Sequence, residues 1–387
     1  MKRILASFLI VVLCCCSACG NNADNNYSDE YTFETDYQYN FSDSLTSVYF
    51  TETPYGIYLS DMQYLGYFDD ELNYNLLCNN ANCLHDDVNE CKAYFLMNLN
   101  IFYYEESLYI VCMNDEFELC IQEYTLQGDY VKTIEVLPQS LHQIIQHRGV
   151  FYYSYYKEDN TQDGSISDGI GFPTVAAVSV NGKKEEVLYQ GEAENTAIGW
   201  ISAYGKYIYF CEDTYGETFK TDTYIYNLET ETFSILEDVA NIYFSNSRLI
   251  FNKQKGDRKT VYSSALDGSN VQATELVMNY DSGLLGAFGP YVIESNAIEY
   301  TQDSVDNNTY VQTFTVYKDN KLEFSFTLQN VDGEDYSKTI VPRILSTDEY
   351  IFMPMSHNAI RTIVAIDMEQ FVQGRIEPTV VYTPNMR

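Results

Sequence analysis

The sequence predicts an all-β protein of the β-propeller class, and three observations lead there. A short aromatic and aliphatic strand, read as the first of each repeat unit, recurs seven times: Ile57-Tyr58-Leu59, Tyr109-Ile110-Val111, Phe151-Tyr152-Tyr153, Ile208-Tyr209-Phe210, Ile250-Phe251, Val292-Ile293 and Ile351-Phe352. Anchored on Tyr58, Tyr109, Tyr152, Tyr209, Phe251, Ile293 and Phe352, the steps run from 42 to 59 residues and average 49. Periods near forty to fifty built from strands alone mark propeller blades, because a four-stranded blade cannot bury both faces and must stack radially. Partner strands such as Tyr124-Thr125-Leu126-Gln127-Gly128, Ala177-Val178-Ser179-Val180-Asn181-Gly182 and Tyr224-Ile225-Tyr226-Asn227 run into polar turns that send the chain back as another strand. The third observation is composition: 37 Tyr and 21 Phe against one Trp and eight Pro favour pleated, half-buried surfaces. Seven blades is the expected count, with six, eight or a pair of two-sheet sandwiches as alternatives.

Residues 1–18 read as an export signal. Lys2 and Arg3 supply a positive start, and Ile4 to Cys16 follow without a charge, too short to span a bilayer. Cys16-Ser17-Ala18-Cys19 then resembles the lipobox of bacterial prolipoproteins, although an aliphatic residue usually stands where this chain has Cys16. The resemblance implies cleavage before Cys19 and lipidation of its thiol, which would hold the protein at the cell membrane on the extracytoplasmic face. Residues 19–46 read as a polar tether: Asn21 to Glu30 is too polar to fold alone, and aromatics return among acids from Tyr31 to Phe41. The propeller is expected over 47–387.

Within that body, the stretch from Asn241 to Val277 carries Ile242-Tyr243-Phe244 and Ala265-Leu266-Asp267-Gly268-Ser269-Asn270. These resemble the repeats of YWTD-like, TolB-like and related bacterial propellers, a likeness of architecture that brings no active site with it.

Cys78-x4-Cys83-x-His85-x5-Cys91 puts three thiols and an imidazole in one loop, 78–91, after the first repeat. Four such ligands are what a structural zinc requires, and Asp86 and Asp87 follow the histidine as candidates to orient its ring. Exported thiols also oxidise, so a Cys78–Cys83 or Cys83–Cys91 disulfide is the competing reading. Leu77-Cys78 through Cys83-Leu84-His85-Asp86 is similar to a segment of uncharacterised lipid-anchored propeller proteins of Gram-positive anaerobes. That likeness implies kinship only. Cys112 and Cys120 flank the turn Asn114-Asp115-Glu116 and form a candidate cross-strand disulfide, while Cys211 occupies the repeat position of Cys112 and reads as a buried thiol.

Charge and the catalytic motifs the sequence lacks narrow the function. Loss of Lys2 and Arg3 with residues 1–18 takes the net charge from −34 to −36, which repels nucleic acid and anionic lipid. There is no Gly-x-Ser-x-Gly elbow, P-loop or Gly-x-Gly-x-x-Gly. His142 and His147 flank Gln143-Ile144-Ile145-Gln146, which reads as an inner strand, and His357 has no nucleophile beside it. Asp159-x-Thr161-x-Asp163-Gly164 begins like a calcium loop, but Ile170 stands where the closing Glu belongs. The expected role is a non-enzymatic scaffold that binds a protein, peptide or glycan on one propeller face, with structural zinc as the one candidate cofactor. A carbohydrate-active enzyme and an accessory or sensor subunit of another membrane system are the alternatives.

Overall fold

The computed structural model describes residues 48–88, 90–158, 171–182, 184–191, 195–255, 258–279, 282–296, 299–302, 308–328, 331, 341, 344–357 and 360–383. The signal, Cys19, the tether and the Asp159–Gly164 stretch lie outside the described residues.

Seven antiparallel four-stranded sheets follow one another along the chain, each built from strands in sequence order. They run from Val48–Thr53 to Tyr74–Leu76, Asn98–Tyr104 to Tyr130–Val136, Leu141–His147 to Glu186–Gln190 and Thr196–Tyr204 to Thr232–Leu236. Three more run from Ile242–Ser245 to Gln272–Asn279, Gly283–Phe288 to Lys321–Thr327 and Leu345–Ser346 to Thr379–Tyr382. First strands of successive sheets lie against one another through blades 1 to 4 and again between blades 5 and 6, which places them on the inner ring. Fourth strands such as Tyr130–Val136 and Thr232–Leu236 are mostly exposed and form the rim. Seven apolar clusters hold the assembly, one at each junction between consecutive sheets. The protein is a seven-bladed β-propeller.

The recurring aromatic strand proves to be the second strand of each blade, not the first. It falls in Gly56–Asp61, Ser107–Met113, Val150–Glu158, Tyr207–Thr214, Arg248–Lys255, Tyr291–Ser295 and Tyr350–His357. The reason is burial. A second strand is flanked within its blade and covered on both faces by adjacent blades, so it reads as a near-continuous apolar run rather than an alternating one. Gln143–Gln146 lies in the first strand of blade 3, as its inner-strand reading expected. The long final step, from Ile293 to Phe352, includes an extra hairpin, Glu299–Gln302 with Asn308–Val311, inserted between the second and third strands of blade 6.

Turns key one blade into the next. In blade 5, Ala265 exchanges backbone hydrogen bonds with Gly268 and Ser269, and the Asp267 carboxylate accepts from the Ser269 N–H at 2.8 Å. Gly268 has φ +80°, and a Cβ there would meet the Ile225 side chain of blade 4 at 2.8 Å. Glycine is needed on both counts.

The ring closes between blades 7 and 1 without exchanging a strand among the described residues. Phe352 packs its ring 5.1 Å from Phe50 and 6.3 Å from Phe68, and Tyr74 meets Tyr382 at 4.9 Å. The Tyr382 hydroxyl donates to the buried Asp61 carboxylate. One short helix, Met368–Val372, interrupts the last blade, with Asp367 accepting from the Gln370 N–H at 2.8 Å as its cap. Among the described residues no helix is long and apolar enough to cross a membrane.

Candidate metal centre and its cleft

The chain leaves blade 1 at Leu76 and enters blade 2 at Asn98. The loop between them is fastened at both ends to one residue. Leu65 accepts from the Leu77 N–H at 2.9 Å and donates to the Ala93 carbonyl at 2.9 Å. Phe95 N–H then donates to Gln63 O at 2.8 Å, and Tyr94 forms a bridge to Tyr64. A loop pinned in this way can present side chains inward at fixed positions.

Local turns bring the four candidate ligands together. Asn80 starts a turn in which its side-chain oxygen accepts from Asn82 N–H at 3.1 Å and its carbonyl accepts from Cys83 N–H at 3.0 Å. His85 takes φ 57°, and its N–H points at the Cys83 sulfur at 3.4 Å. The Asp87 carbonyl accepts from Glu90 and Cys91 N–H groups, winding one turn that aims Cys91 back at the histidine. Asp87 thus shapes the site through its backbone.

The sulfurs of Cys78, Cys83 and Cys91 and a ring nitrogen of His85 all lie within 4.8 Å of one another, with His85 Nδ1 3.1 Å from Cys91 Sγ. Zn–S bonds of about 2.3 Å and Zn–N bonds of about 2.0 Å place tetrahedral ligands roughly 3.5–3.8 Å apart, so small adjustments suffice to close the set on one ion. The three cysteines stand as free thiols, and Cys91 is buried. Burial, followed by the neighbouring Cys83 and Cys78, pushes the Cys91 thiol up to about 12. Burial also works against ionising Cys78, but the Asn80 N–H and the Cys83 and Cys91 thiols outweigh it and leave Cys78 below the usual thiol range. Three crowded sulfurs of this kind can hold a metal, and binding would displace their protons. His85, a bystander under the disulfide reading, is brought into the cluster.

Cys112 and Cys120 sit directly opposite each other across the second and third strands of blade 2. Both are buried free thiols: Cys112 Sγ contacts Gln122 Oε1 at 3.3 Å, and Cys120 Sγ contacts the Cys112 carbonyl at 3.4 Å. Cys211 is also a buried free thiol, as its repeat position suggested, and burial followed by the charge of Asp213 pushes it up to about 12. His147 is buried with Nε2 2.7 Å from the Gly205 carbonyl, whereas His142 is exposed.

Beside the Cys/His loop opens a cleft of about 740 Å³. One wall is the returning arm of the loop, with Cys91, Lys92, Tyr94 and Phe95; the other is blade 2, with Gln122, Tyr124 and Tyr130. Its volume is that of a small-ligand or peptide pocket. The four candidate ligands are legible in the sequence, whereas this cleft is not. Its walls come from three separate stretches, 88–96, 113–116 and 122–133, that share no local motif and meet only when blade 2 folds against the loop.

No protein-family model matches the sequence, and no curated protein matches it. Solved structures do. The chain is similar to a prolyl endopeptidase with 11% identity and a TM-score of 0.57, covering 89% of this chain and 50% of that one. It is similar to a post-proline cleaving enzyme from Rickettsia typhi with 10% identity and a TM-score of 0.51, covering 88% and 53%. This chain therefore spans about half the length of these two enzymes. What is shared is the propeller fold.

Proposed function

We propose that this chain is a lipid-anchored extracytoplasmic propeller that binds a partner without transforming it, and that Cys78, Cys83, His85 and Cys91 hold a structural zinc. The observation that carries the reading is the pairing of a four-ligand site with a cleft whose wall is the same loop. Four protein ligands complete a tetrahedron and leave no place for an activated water, so such a metal fixes the loop and does no hydrolysis. What it fixes is a binding wall. Cys19 would tie the body to the membrane through a polar spacer, keeping the blades and their loops facing outward. Propeller-bearing peptidases share the fold at about one residue in ten, too few to carry an activity across.

The test is capture by the immobilised chain from envelope proteins and from peptide and glycan arrays, run beside His85→Ala. Retention of a defined, chemically unchanged component by the parent, weakened by His85→Ala, is the expected result. Equal retention by both, or release of a cleaved product, would overturn the reading.

A further inference from the structure

The cleft beside the Cys/His loop has a charge and a lining that select a ligand. Its lining carries four carboxylates, on Glu90, Asp115, Glu116 and Asp129, against one ammonium, Lys92. Lys92 is already engaged by Asp129. Asp115 and Glu116 are exposed on the turn between the second and third strands of blade 2, and hydrogen bonds to Asn114 brace that turn. The Asn114 side-chain oxygen accepts from Glu116 N–H at 3.0 Å and Glu118 N–H at 2.8 Å, while its amide donates to Glu118 at 3.1 Å. The turn therefore holds the two carboxylates at the cleft in advance of any ligand, which lowers the ordering cost of binding.

The walls between these charges are aromatic. Tyr124 is buried, with its hydroxyl donating to Gln122 Oε1 at 2.6 Å and its ring edge-on to Phe95 at 5.7 Å and Tyr130 at 5.8 Å. Tyr94 is propped edge-on against Tyr64 at 5.3 Å. Tyr130 is 56% exposed despite that packing, on the rim strand of blade 2. Tyrosine faces attract cations, and they also accept the methylene stem of a long cationic side chain.

We propose that this cleft binds a cationic peptide segment, laying a lysine or arginine stem along the tyrosine-lined wall with its charge against Asp115 and Glu116. The volume fits a few residues of such a segment. A neutral glycan would leave the carboxylates without a partner, and an anionic ligand would be repelled. This assignment deepens the binding reading above and rests on it.

The probe is N-acetyl-trilysine amide, titrated calorimetrically into the full chain in neutral detergent at physiological salt. Its counterpart with all three side-chain amines acetylated keeps the shape and removes the charge. Saturable binding at one peptide per chain is expected, with none for the acetylated peptide. Asp115→Asn with Glu116→Gln should weaken it at least tenfold, and Tyr130→Ala several-fold. Glu186→Gln with Glu231→Gln, exposed acids on the rims of blades 3 and 4, should change it less than twofold. A control pair that weakens binding as much as the cleft pair would show diffuse attraction to an acidic protein and overturn the assignment. So would unsaturable binding, or spermidine binding as tightly as the peptide. The two readings fail separately: a chain that captures an envelope component yet ignores trilysine refutes the cationic assignment alone, whereas failure to capture anything strikes the binding role itself.

Discussion

The seam between blades 7 and 1 is where the ring either holds as one body or does not, and Phe352→Ala tests it. Phe352 is 1% exposed, with its ring against Phe50 and Phe68 of blade 1. Deleting a buried phenylalanine costs about 3–5 kcal/mol, through lost burial and the cavity left behind. At about 2.1 cal/mol/K per residue, a body of roughly 330 residues unfolds with an entropy near 0.7 kcal/mol/K, so about 4 kcal/mol lowers Tm by about 6 °C. Phe251→Ala, equally buried between blades 4 and 5, serves as the comparison. Differential scanning calorimetry of the full chain should show one transition in each variant, shifted by a similar amount. Where side chains close the ring among the described residues, the loss is transmitted only if every junction unfolds together. An unmoved main transition with a new, earlier one in Phe352→Ala would refute the closed cooperative ring.

Three further outcomes are expected. Cys19→Ala should release the protein from the membrane fraction into the medium or leave it unprocessed; a variant that loses its signal yet stays membrane-bound would contradict the lipid anchor. Glu52 lies half-buried at the same seam, where burial and then the charges of Asp348 and Glu349 raise it to about 7. Its proton is therefore held more tightly in the folded chain, and stability should fall as pH rises from about 4.5 through about 7. Glu52→Gln should remove that loss and raise stability at pH 8 by about 1–2 kcal/mol after allowance for solvent screening, with little change at pH 4; an unchanged pH profile in thermal melts would count against it. His85→Ala should lower both bound zinc and Tm, whereas a loop held by disulfides would respond to reductant and scarcely to this change.

Much of this architecture was legible because a propeller repeats its most buried strand. Tyr58, Tyr109, Tyr152 and Tyr209 announced four blades at once, since the second strand has no exposed face to carry polar residues. The same physics hid the first and fourth strands. Leu141–His147 mixes buried and exposed positions, and Tyr130–Val136 is exposed along most of its length, Val131 and Val136 included, so its apolar residues mark no buried face. The blade boundary was therefore read one strand late. Cys78, Cys83, His85 and Cys91 were legible as a cluster because a single short loop carries all of them. Whether they converge depends on Leu65 tying both loop ends and on the turns at Asn80 and Asp87. The Asp115 and Glu116 carboxylates looked like an ordinary hairpin turn, and Tyr94 and Tyr130 lie 36 residues apart in the chain. Only the packing of blade 2 against the loop gives them a common cleft.

The most direct test of a metal centre that fixes a binding wall is elemental analysis with thiol counting, on protein purified without oxygen or chelator. Near one zinc per chain is expected, with Cys78, Cys83 and Cys91 all unpaired with one another and protected from thiol reagents until a chelator is added. No zinc, with two of those three cysteines joined as a disulfide, would contradict it.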